Sequence, residues 1–108
     1  MRKPSNTLLE AMDQMEQIPG IAGVWSEVRC QTRHTKPMRK TDWAFITSYG
    51  WQYVNTEREA SCPEWVYILS HCCLHLALGH IREDWKTDAV WEHACDCIAA
   101  KMLLDLRI

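Results

Sequence analysis

After Ser5 the apolar residues Leu8, Leu9, Met12 and Met15 return at helical intervals, with Ile18 continuing the same face. Acidic and amide residues fill the positions between them. This pattern predicts an amphipathic first helix with Ser5 at its N-cap, ended by Pro19-Gly20. The next stretch, IAGVWSEV, has no decisive period and suits either a short strand or a second helical piece. RCQTRHTKPMRKTD is polar and reads as a loop, with five basic side chains between Arg33 and Lys40 when His34 is included. No aromatic platform or glycine-rich turn accompanies these charges, so a solvated loop is expected rather than a phosphate site.

The period then shortens. WAFITSYGWQYVN carries β-branched and aromatic residues on both sides of Ser48-Tyr49-Gly50, the composition of a hairpin or of a strand with a tight bend. Trp43, Phe45, Trp51 and Tyr53 are expected to lie mostly in the core. A polar connection from Asn55 to Ala60 leads to Ser61-Cys62-Pro63-Glu64, a helix start with Ser61 as N-cap and Glu64 closing a capping box. That helix should run from about Pro63 to Leu78 and stop at Gly79. After IREDWKTD, the segment AVWEHACDCIAAKMLLDL predicts a last helix whose packed face is marked by Val90, Trp91, Ala94, Ile98, Met102 and the nearby leucines. The fold class is therefore α+β, with helices around a short β-hairpin or sheet, in one domain over residues 1–108.

Composition narrows the class without naming a function. Forty-seven per cent hydrophobic residues in 108 are enough for one small core. A net charge of -2 gives no electrostatic argument for nucleic acid or an anionic membrane. The N-terminus lacks the apolar run of a secretory signal, and no segment approaches the length of a membrane span. A soluble, cytoplasmic protein is expected. In that setting the six cysteines, Cys30, Cys62, Cys72, Cys73, Cys95 and Cys97, fit small core residues or metal ligands better than disulfides.

The chemistry concentrates in SHCCLHLALGHI, residues 70–81. His71 and His75 are four apart on a predicted helix, so their imidazoles share a face and can meet at one ion about 2 Å from each nitrogen. Apolar flanks make the pair half-buried. The HxxxH motif thus sits on the central helix.

Several motifs in order carry a resemblance. They are Thr47-Ser48-Tyr49-Gly50, then Asn55, then His71-Cys72-Cys73-Leu74-His75 with His80 and Arg82, then Trp91-Glu92-His93-Ala94-Cys95-Asp96. Over residues 40–104 or so, the chain resembles the metallopeptidase-like domain at the N-terminus of bacterial VWA-like proteins, a zincin relative. Its pattern is HExxHxxxxH on one helix and WNxAxD on the next. The resemblance implies a zincin-like α+β fold and a zinc ion on His71 and His75. It also implies a peptide or protein partner, such as a separately encoded VWA-like domain or an associated AAA+ ATPase. The VWA-like half is missing, so a truncated, standalone or split form is expected.

Two departures bear on activity. Cys72 stands where the family has the general-base glutamate, and Glu92 where it has asparagine. In a zincin that glutamate takes a proton from metal-bound water and returns it to the leaving amine. Cysteine is shorter and, near zinc, its thiolate binds metal more readily than it shuttles protons. Little or no peptidase activity is expected. For the third ligand, Asp96 occupies the family's acidic position, while Glu92 would take that role in a gluzincin-like E-x-x-x-D pattern and His80 lies just past Gly79. His80 also suits a helix-terminus cap, and Asp96 a hydrogen-bond partner for a histidine. Two rivals remain: a closed Cys/His structural zinc site using one of Cys72 or Cys73 with one of Cys95 or Cys97, and a metal-free scaffold that binds a partner.

Overall fold

The computed structural model describes residues 4–32, 43–47, 49–79 and 89–106, with the backbone alone for 89–92. Helix α1 spans Asn6–Met15, and Ser5 Oγ accepts the Leu8 amide at 3.3 Å as its N-cap. Its inward line is Leu8, Ala11 and Met15, while Leu9 is exposed. Leu9 is rotated about 100° from Leu8, which takes it off the stripe that α3 covers. A short helix α2, Ala22–Trp25, follows and buries Trp25.

The polar segment expected to be a loop begins as a strand. Strand β1, Arg29–Gln31, runs parallel to β3 and pairs Cys30 with Gln52. A polar edge strand is tolerated because its neighbour supplies the hydrogen bonds and its outward side chains stay wet. Arg29 illustrates this, with its guanidinium 5.4 Å from the Trp51 ring centre. The basic run from Arg33 to Lys40 lies outside the described residues.

The hairpin forms as predicted. Strands β2, Ala44–Ile46, and β3, Trp51–Val54, are antiparallel with Phe45 opposite Tyr53, and the sheet order is β1-β3-β2. Thr47 organises the turn, its carbonyl accepting the Gly50 amide at 3.0 Å and its hydroxyl the Trp51 amide at 3.2 Å. Gly50 has φ +84°, and a Cβ there would lie 2.8 Å from the Glu27 carbonyl oxygen. Gly50→Ala should therefore destabilise the fold by at least about 1–3 kcal/mol, from left-handed strain alone, read as a lower urea midpoint. A midpoint equal to that of the parent would show that the turn relaxes freely.

The four aromatic residues expected in the core are only half-buried; the buried residues of β3 are Gln52 and Val54. Phe45 and Tyr53 stack on each other at 5.0 Å on the sheet's second face, and Trp43 meets the core through an edge contact with Trp65 at 5.6 Å. Strand alternation forces the choice: once Val54 points inward, Gln52 must follow and Trp51 and Tyr53 must not.

Helix α3, Cys62–Ala77, begins with the predicted capping box: Ser61 Oγ accepts the Glu64 amide at 3.3 Å and Glu64 Oε1 accepts the Ser61 amide at 3.0 Å. The amide bond from Ser61 holds the Glu64 carboxyl below its usual range. The helix stops at Leu78, with Gly79 at φ +68°. Packed against α1, α2, β2 and α4, it is the centre of the molecule. It buries Trp65, Val66, Leu69, Ser70, Cys72, Cys73 and Leu74, and fully burying Leu69 alone contributes about 1.5–3 kcal/mol. What this leaves uncovered is a stripe of Tyr67, His71 and His75, each one turn from the next.

Helix α4, Ala89–Asp105, lies on α3 through Cys95, Ala99 and Leu103, with Met102 beside them. The expected face holds at its C-terminal end, where Met102 and Leu103 pack, but is shifted by one residue before it: Ala94 and Ile98 are exposed, and the side chains of Val90 and Trp91 lie outside the described residues. Small Cys95 and Ala99 let the helix axes approach, which the larger Ile98 would oppose. The α+β class holds, with four helices and a three-stranded mixed sheet among the described residues. No described helix is long and apolar enough to cross a membrane.

Candidate metal centre

The His71–His75 stripe of α3 places both histidines at a half-buried position, as expected. Their side chains are 24% and 17% accessible, and their ring centres are 4.6 Å apart. Rotation of α4 toward α3 brings Asp96 over them. Asp96 Oδ1 is 3.2 Å from His71 Nε2 and 2.9 Å from His75 Nε2, so one carboxylate oxygen serves both rings. One ligand atom from each residue fits within 4.8 Å of the others. For zinc with bonds of about 2.0–2.1 Å, the edge of a tetrahedron is about 3.3 Å. The two nitrogen–oxygen spacings fall close to that edge, and two imidazoles with a carboxylate are an accepted zinc donor set. Asp96 is 61% accessible, so the carboxylate side of the cluster faces solvent.

The structure thus brings together His71, His75 and Asp96 from the expected set. His80 and the side chain of Glu92 lie outside the described residues. The carboxylate expected as a buried partner of a histidine does bond to both, but from an exposed position.

Cys72 does not share this surface. It is 8% exposed and turned toward β3. Burial pushes its thiol up to about 11; the neighbouring Gln52 amide holds that rise back, and Asp96 adds to it. Burial also raises Cys30 and Cys73, each to about 12. These thiols are protonated near neutral pH and are poor bases or nucleophiles there. No disulfide links any of the six cysteines. Among the described residues no cysteine joins a three-ligand group as compact as the His/His/Asp set. Cys95 is buried, and Cys97 points outward beside His93. The closed site between α3 and α4 is therefore not assembled among the described residues.

Known protein families, curated proteins and solved structures yield no match to this chain.

Gln52 is the residue that sequence reasoning missed. It is 0% exposed, and neither amide atom has a partner in hydrogen-bonding geometry among the described residues, although the Cys72 thiol lies beside it. The alternation W-Q-Y-V carried the signal, because Gln52 and Val54 must share a face. An unpaired buried amide costs about 1–3 kcal/mol. Gln52→Met, close in volume, should accordingly leave the melting temperature unchanged or raise it. A clear drop would show that the amide is bonded in solution.

Proposed function

We propose that this chain is a zincin-like metal-binding domain whose zinc site is His71, His75 and Asp96, and that it is a poor peptidase or none. The observation that carries the reading is one Asp96 oxygen at 3.2 and 2.9 Å from the two Nε2 atoms, on helices whose motifs resemble the family's in their order. When bound there, zinc would supply Lewis acidity toward a ligand on the solvent side. The chain's own residues hold and aim that position, with His71 and His75 set by α3 and Asp96 by α4. The impaired chemistry follows from position 72, where a buried, protonated thiol faces the sheet and offers no carboxylate to take a proton. By the same resemblance, the partner would be a VWA-like domain or an AAA+ ATPase.

One observation favours a second reading. Without an ion, Asp96 can accept an N–H from each imidazole, so the trio also works as a clasp tying α4 to α3. Metal content of protein purified without a histidine tag separates the two. About one zinc per chain supports the metal centre; none, after growth in zinc-replete medium, leaves the clasp.

A further inference from the structure

We propose that His93 and Cys97 form half of a second zinc site, which a second copy of this chain completes. The two residues are one turn apart on α4, both exposed, with Cys97 Sγ 3.6 Å from His93 Nε2. In a zinc tetrahedron with Zn–S of about 2.3 Å and Zn–N of about 2.0 Å, the sulfur–nitrogen edge is about 3.5 Å. The pair is already spaced as two adjacent ligands.

Two ligands do not close a structural zinc site, which takes four. Among the described residues the compact three-ligand group is His71, His75 and Asp96, and the His93–Cys97 pair gains no third member. Among the described residues nothing supplies the missing half. A two-fold axis supplies it without any new chemistry, since the same patch on both copies gives His₂Cys₂.

The surface around the pair suits another helix. Ala94, Cys97, Lys101 and Leu104 are all exposed and follow a 3-4-3 spacing, with Ile98 at its flank. That is the spacing of a helix–helix seam, on the side of α4 away from buried Cys95, Ala99 and Leu103. The apolar area is small and Lys101 interrupts it, so this seam should not hold two chains unaided. Association should require the ion. The site uses none of the three residues of the first centre, so either can fail without the other.

The test is sedimentation velocity of the full, tag-free chain under reducing conditions with zinc added stepwise. The expected result is a shift from the 12.6 kDa monomer to twice that mass, reversed by chelator, with bound zinc rising to about 1.5 per chain when both sites fill. Cys97→Ser and His93→Ala should each stay monomeric, and His71→Ala should still dimerise. Cobalt should give a sulfur-to-metal charge-transfer band that Cys97→Ser removes. Both substitutions are on exposed positions, and unchanged far-ultraviolet circular dichroism would show that the variants fold. A chain that remains monomeric at saturating zinc overturns the proposal. So does a dimer that survives chelator, or one lost in only one of the two variants.

Discussion

Zinc bound to His71→Ala or His75→Ala, measured after excess metal is removed, should fall at the first centre from about one per chain to near none. Either change leaves one imidazole and one carboxylate on separate helices, too few to hold the ion against water and chelators. Stability of the metal-free chain should move far less. Each substitution removes the bond to an exposed carboxylate, and such a bond is worth about 0.5–1.5 kcal/mol. A large metal effect with a small folding effect is the signature of a site rather than a strut. Under the clasp reading the pattern reverses: the parent holds no zinc at these residues, and the substitutions register only in the melting curve. Unchanged first-centre stoichiometry in both variants would sink the site as drawn.

Cys72→Glu should produce the second large effect, in two parts. Position 72 is buried against Gln52, and Asp96 acts on it electrostatically. A carboxylate placed there loses water and faces a like charge, which should cost several kcal/mol in chelator. The unpartnered Gln52 Nε2 offers a donor that offsets part of this. Zinc should relieve much of the remainder, so the melting-temperature gap between zinc-loaded and chelated protein should be wider in the variant than in the parent. Activity is the other part. A missing general base typically lowers a rate by about 10²–10⁴-fold, so if base loss limits the parent chain as proposed, the variant should show zinc-dependent cleavage of an unstructured peptide. A variant that folds, binds zinc and cleaves nothing across a broad peptide library would count against the peptidase ancestry drawn from the motifs.

Helix ends were the most legible part of the molecule, because capping acts within a few residues. Ser5, the Ser61–Glu64 box and Gly79 mark boundaries wherever the rest of the chain goes. The hairpin was legible for a similar reason: Thr47 and Gly50 build the turn from their own backbone and hydroxyl bonds. The histidine pair followed from helical period alone. Strand β1 did not, since RCQ has no strand pattern of its own and pairs only because β3 offers a free edge.

By itself, then, the sequence determined where α1 begins, where α3 begins and stops, where the hairpin turns, and that His71 and His75 face the same way; α1 stops at Met15, short of the Pro19-Gly20 break. Tertiary structure decided which faces are covered. It turned Gln52 inward and the aromatic residues outward, rotated α4 by one residue so that Cys95 rather than Ala94 meets α3, and thereby swung Asp96 over both imidazoles while leaving His93 and Cys97 in solvent. The physical reason is range. Caps and turns are short hydrogen-bonded units written in adjacent residues, whereas burial depends on neighbours far along the chain, and a shift of one residue on a helix turns a side chain through about 100°.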